Sequence, residues 1–388
     1  MQYDFDRIID RTGTRCIKAD FPHLTDPSLP EDALLLWVAD MDFACPPPIL
    51  DALRRRLDRE ILGYTHMDDP AYRDAVTGWF NRRHGWDFPG EQIVFSSSVV
   101  SALYQSVRLL TSPGDRILLM TPAYHPFADS AAAFGREILF SRLLEQPDGT
   151  YLIDWEDFER KASDPACTLF FLCSPQNPTG RVWTRDELRR IGEICFAHGV
   201  FVVADEIHCD LTRLGTEHIP FASLFPDETR LITCTSPSKT FNIAGTRHAN
   251  LIIPDPALRR RWKNDGLTGH TGVFGPVAVI SAYTECDVWL DELRAYLDGN
   301  FRLLHSVLET ELPGVLCPVP EGTYLAWPDF SALGLDESEL KQRISSRGVY
   351  IQYASEFVDH GDGHARINLA APRSVIRSAA ERICAALR

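Results

Sequence analysis

Between residues 93 and 253 the chain alternates short apolar, β-rich runs with amphipathic stretches, and this alternation restricts the fold more than any other feature. The β-rich runs lie at 93–95, 117–120, 168–173, 200–204, 231–235 and 249–253, with helical patterns at 98–110, 126–134 and 184–198. Such an order predicts a mainly parallel α/β sheet with right-handed crossovers. Ligands of such sheets sit outside the carboxyl ends of the strands. Asp205 and Lys239 each follow an apolar run, so both are expected at a site. From 275 to 312 no proline follows Pro276, which predicts one long helix leaving this unit. Beyond it, 323–327 and 366–369 read as strands, and 337–345 and 375–387 as helices. The expected organisation is an N-terminal arm (1–45) contributing to a small domain, a large domain (46–280) and a small α+β domain (281–388). At 388 residues the chain is long for one core, which agrees with two.

A formal charge of −15 argues against nucleic acid or an anionic membrane as partner, because both need basic patches. No apolar run approaches the ~18 residues of a membrane span, and the first residues lack the basic start and apolar core of a signal peptide. Ten cysteines are scattered without CxxC pairs, which reads as reduced thiols in a cytoplasmic protein. Cys195 with His198, and His208 beside Cys209, lack the partners and spacing of a zinc site, so no metal is expected.

The chemistry concentrates in Ser236-Pro237-Ser238-Lys239-Thr240-Phe241-Asn242-Ile243-Ala244-Gly245. A lysine alone is usually a solvated surface group. Here it stands behind two serines in a glycine-ended turn, as suits an aldehyde cofactor with a phosphate tail: an amine to form an imine, hydroxyls nearby for the phosphate. Asp205 could merely cap a loop; paired with Lys239 it fits better as the partner of a pyridinium nitrogen. Ser97-Ser98-Val99-Val100 lies between a strand and a helix, where free N–H groups can receive an anion or where a serine simply caps the helix.

These segments, with Asn177-Pro178-Thr179-Gly180, Asp205-Glu206-Ile207-His208 and Ala365-Arg366-Ile367-Asn368, resemble the fold-type I pyridoxal-phosphate (PLP) enzymes. Their wording is similar to the cystathionine β-lyase or C–S lyase branch of the class I/II aminotransferases. The resemblance implies a mixed, mainly parallel seven-stranded sheet in α/β/α layers plus a smaller α+β domain. Lys239 would be the Schiff-base lysine and the base for the Cα proton, Asp205 the partner of the ring nitrogen, and Asn177 a donor to the phenolic oxygen, with His208 facing it. Tyr124 would stack on the ring. Ser98, Val99, Val100, Ser236, Ser238 and Arg247 would hold the phosphate. Arg366 would grip the substrate carboxylate, helped by Ala39, Asp40 and Asn177. Tyr64 matches a tyrosine reaching into a neighbouring subunit's site, implying a homodimer with composite sites.

The likeness runs from Trp37 to Arg373 and has departures. Serine stands at 98 where the family usually has glycine, and Thr246-Arg247-His248 and His270-Thr271-Gly272-Val273-Phe274 are unusual. The expected function is a PLP-dependent β-lyase that splits an S-substituted L-cysteine into thiol, pyruvate and ammonia. The alternatives are an aminotransferase on the same scaffold and a PLP-binding regulatory protein.

Overall fold

The computed structural model describes residues 1–265, 269–359 and 363–388. Its centre is a seven-stranded sheet: β1 (Ile93–Ser96), β2 (Arg116–Thr121), β3 (Glu137–Arg142), β4 (Cys167–Cys173), β5 (Phe201–Asp205), β6 (Leu231–Thr235) and β7 (Ala249–Ile252). The spatial order is β1-β7-β6-β5-β4-β2-β3. β7 runs antiparallel to both its neighbours, and every other pairing is parallel.

Both faces of this sheet are covered, which is why its strands read as continuous apolar runs. Ile117 and Leu119 of β2, with Leu169 and Phe171 of β4, enter the core under the helix Val99–Leu110. Leu118, Met120, Phe170 and Leu172 enter the opposite core under Arg185–Ala197. That period of two is the strand geometry itself. β3 is the strand that apolar pattern alone did not reveal; it lies at the sheet edge, and of its six residues only Ser141 is buried. The helix Arg185–Ala197 opens with a capping box, Thr184 and Glu187 each bonding the other's backbone N–H.

The expected single helix over 275–312 is two, Phe274–Glu285 and Asp287–Glu311, broken at Cys286. Cys286 leaves helical geometry (φ −114°, ψ 16°) and gives its thiol to the Ser281 carbonyl. The break turns Tyr283 and Trp289 into one core with Trp79 and Phe241. Further along the second helix, Phe301, Leu304 and Leu308 enter a different core with Ile344, Ile367 and Ile383. That core lies against a small antiparallel sheet in which Ala365–Asn368 separates Leu325–Ala326 from Gln352–Tyr353. The expected strand over 323–327 is thus shorter than its pattern. The helices Glu337–Ser346 and Arg373–Leu387 pack beside this sheet. Leu34–Leu35 pairs with Val349–Tyr350, tying the N-terminal segment to this second unit. Among the described residues no helix is long and apolar enough to cross a membrane.

Packing on the sheet leaves little slack at Gly192, midway along Arg185–Ala197. A Cβ there would come within 2.2 Å of the Phe225 ring. Alanine is the better helix former by about 1 kcal/mol, but overpacking costs about 1–3 kcal/mol. Gly192→Ala is therefore expected to lower the urea unfolding midpoint; an unchanged or raised midpoint would show that the Phe225 ring yields freely.

Candidate active site

A cavity of about 400 Å³ opens at the carboxyl ends of β5 and β6. Asp205, the last residue of β5, is flanked in the sheet by Cys173 and Cys234. Thiols offer a carboxylate no charge, so burial pushes its pKa up to about 7. Its one hydrogen bond comes from the Ile207 N–H (3.1 Å), and no side chain among the described residues donates to it. Both properties suit a carboxylate aimed at a ligand.

Lys239 sits one turn past β6, in the short helix Pro237–Thr240. It is half-buried, lines the cavity, and donates to the Ala39 carbonyl at 2.6 Å. Burial first, and then the Arg366 charge, lower its pKa to about 8. Arg366 comes from the small sheet, is 3% exposed, and donates to Asn177 Oδ1 (2.9 Å), to Gln352 Oε1 and to the Trp37 carbonyl (3.4 Å). Burial brings it down to about 10, so it stays charged at neutral pH. Its Nε is buried without a partner among the described residues. His208 lines the same space. Burial, with the Lys239 and Arg366 charges, lowers its pKa to about 3 and keeps it neutral, and its Nδ1 has no partner among the described residues. Tyr124 is half-buried on the wall.

At the other end Ser98 caps the helix Val99–Leu110, its Oγ accepting from the Ser101 N–H at 3.0 Å. The Val99 and Val100 N–H groups have no backbone acceptor and face the cavity region. Ser98 has φ −168°, extended backbone that any residue adopts, so serine replaces glycine here without strain. Ser238 and Arg247 also line this end. Arg247 is exposed and, among the described residues, pairs with no carboxylate.

The structure brings together thirteen of the residues singled out in sequence and leaves two apart. Asp40 does not line the cavity: its carboxylate pairs with Arg11 and its N–H is spent on the Val38 carbonyl (2.8 Å). Tyr64 is fully exposed and edge-on to His270 at 6.5 Å, away from this chain's cavity. Ser236 does line the cavity, yet its proton goes to the His248 carbonyl (2.7 Å). Ala39 contributes a carbonyl, shared by Lys239 and the Tyr324 hydroxyl (2.9 Å). Sequence reasoning assigned no role to Trp37, Phe127, Ile207 and Gln352, which also line the wall, and His248, from the unusual segment 246–248, lines it too. Gln352 stands opposite Arg366 in the small sheet, a signal legible only once strands are paired.

The family model for "Aminotransferase class I and II" matches residues 31–383. The chain belongs to that family. It is 44% identical to cystathionine beta-lyase PatB of Bacillus subtilis, over 99% of this chain and 100% of the relative. Protein MalY of Escherichia coli is 32% identical over 100% and 99% of the two chains. Among solved structures, the PLP-bound C-S lyase from Staphylococcus hominis superposes with a TM-score of 0.94 at 38% identity, covering 100% of this chain and 98% of the other. Cystalysin from Treponema denticola, which contains pyridoxal 5'-phosphate, gives 0.96 at 38% identity, covering 100% and 99%. The fold is the fold-type I PLP architecture.

The donor set fits that cofactor: a single cavity lysine, a buried carboxylate without a side-chain donor, and an anion-facing end built from free N–H groups, a hydroxyl and a guanidinium. An amine reacts as its free base, so labelling of Lys239 by an amine reagent in cofactor-free protein should rise with pH through about 8. An ordinary lysine titrates at ~10.4. Peptide mass mapping across the pH range measures this; a midpoint near the ordinary value would contradict the electrostatics described.

Proposed function

We propose that this protein is a PLP-dependent C–S β-lyase acting on an S-substituted L-cysteine. The observation that carries the reading is the convergence of Lys239, Asp205 and Arg366 on one cavity in a chain 44% identical to a cystathionine beta-lyase along its whole length. When bound, PLP supplies an electron sink for the pair left on Cα. Arg366 receives the substrate carboxylate, bidentate in the manner of guanidinium, with Asn177 already in contact to orient it. Asp205 would face the ring nitrogen and keep it protonated. Lys239, as free amine, takes the Cα proton. The sulfur leaves Cβ as thiol, and with one water the three-carbon fragment ends as pyruvate and ammonia. Tyr124, on the cavity wall, would flank the ring. Neutral His208, with an unpartnered Nδ1, is available as a hydrogen-bonding group beside it. Val99, Val100, Ser238 and Arg247 would hold the phosphate. Ser236 supports them through its bond to the 248 carbonyl.

The reading extends to assembly and place. Leu57, Ile61, Leu62 and Tyr64 expose large apolar side chains within one short stretch. A homodimer covering it, with Tyr64 delivered to the second copy's cavity, accounts for that exposure. The tie between Leu34–Leu35 and Val349–Tyr350 supports an arm of 1–45 joining a small domain (281–388) beside a large one (46–280). Ten free cysteines fit a reducing cytoplasm.

Mixed with L-cystathionine, the PLP-loaded protein should release pyruvate and thiol while the cofactor stays an aldehyde. Amino-group exchange between L-alanine and a 2-oxoacid, with no thiol released, would instead make it an aminotransferase. Lys239→Ala should lose at least ~10²–10⁴-fold in turnover, the usual weight of a general base; unchanged turnover would overturn the assignment. Arg366→Lys should cost ~10–100-fold in kcat/KM, because one charge-assisted bond is worth ~1.5–3 kcal/mol and lysine lacks the fork.

A further inference from the structure

The two unusual segments, 246–248 and 270–274, meet at one side chain. His248 is 3% exposed, lines the cavity and leads into β7. Its backbone carbonyl accepts the Ser236 hydroxyl at 2.7 Å. Its Nε2 lies 2.6 Å from the Tyr72 hydroxyl, and its Nδ1 lies 3.1 Å from Thr271 Oγ1. Tyr72 gives its own proton to Asn250 Oδ1. Each ring nitrogen thus meets a hydroxyl, and the Thr271 hydroxyl also donates to the Gly272 carbonyl at 3.2 Å. Burial keeps the imidazole neutral, lowering its pKa to about 3.

The surroundings are built around this ring. Phe95 packs at 5.0 Å, centroid to centroid. Gly275 lies so close that a Cβ there would fall 2.5 Å from Nδ1 and 3.0 Å from Thr271 Oγ1. The groups at the anion-facing end of the cavity have fewer supports of their own. Arg247 has a left-handed backbone (φ 53°), is exposed, and has no carboxylate partner among the described residues. Ser236 is held through the His248 carbonyl, and Arg247 is joined to His248 by a peptide bond.

We propose that His248 is a positioning residue for the phosphate of the cofactor. Its ring anchors the turn that presents Ser238 and Arg247 to the segment 271–275 and to the helix Pro70–His84. It touches neither the proton transferred by Lys239 nor the carboxylate held by Arg366. The inference rests on the PLP reading above. Its consequence is a division of labour: His248 governs how long the cofactor stays and how its phosphate sits, while the rate of the chemistry on a loaded site is set elsewhere. The same unit reaches the exposed stretch before Pro70, since His270, next to Thr271, packs against Tyr64.

The test uses the holoenzyme with two variants, His248→Leu, which keeps bulk and removes both ring bonds, and Thr271→Val, which removes one. Two readouts serve: the rate of PLP release into a trapping apoprotein, and the ³¹P resonance of the bound phosphate. A hydrogen bond is worth ~0.5–1.5 kcal/mol and ~1.4 kcal/mol is tenfold. Release should therefore accelerate roughly tenfold or more in His248→Leu and by a smaller factor in Thr271→Val. Both resonances should move from the wild-type position, with kcat at saturating PLP nearly kept. Unchanged release and an unchanged resonance in either folded variant would overturn the proposal, as would a lost kcat with normal retention. If His248→Leu does not fold, Thr271→Val decides alone. Wild-type protein that binds no PLP would overturn the cofactor reading itself, an outcome distinct from all of these.

Discussion

A buried carboxylate, a half-buried amine and a buried guanidinium converge on one cavity, and the rest of the architecture serves to keep them there. Burying ionisable groups is costly unless each finds a partner or shifts its titration. Asp205 is pushed up to about 7, Lys239 down to about 8 and Arg366 down to about 10, burial being the first cause in each case. Hydrophobic packing would favour apolar residues at all three places. Their convergence on one cavity is the physical signature of a site made for a charged, planar ligand.

The two structural units divide this burden. The large sheet presents Asp205 and Lys239 from adjacent strands, β5 and β6, while Arg366 arrives from the small sheet. Contact between them is direct: Arg366 bonds Asn177 across the cavity, and Lys239 bonds the carbonyl of Ala39. The helix Asp287–Glu311 enters one core with Trp289 and the other with Phe301, so it links the two units mechanically. Asn368 adds to the junction by donating to the carbonyls of Val38 and Asp40. A shift of the small unit would carry Arg366 with it.

What the sequence made legible follows from locality. Lys239 and its serines lie in one ten-residue stretch, and Asp205 ends a buried parallel strand, so local pattern was enough. β3 was missed although it carries Ile138-Leu139-Phe140, and the break at Cys286 escaped because nothing but tertiary packing asks for it. Gln352 and Trp37 reach the cavity through strand pairing and chain crossings that no short window contains. Asp40 illustrates the reverse: its segment does border the site, but Arg11, distant in sequence, turns the carboxylate away. Ser98 shows that a departure from a family's usual residue can be neutral when the backbone there is extended.

The central claim is that Lys239 carries the cofactor. Borohydride reduction of the PLP-loaded protein, followed by proteolysis and mass mapping, tests it most directly. The account predicts one pyridoxyl group per chain, on the peptide containing Lys239. A pyridoxyl group on another lysine, with Lys239 unmodified, would contradict it.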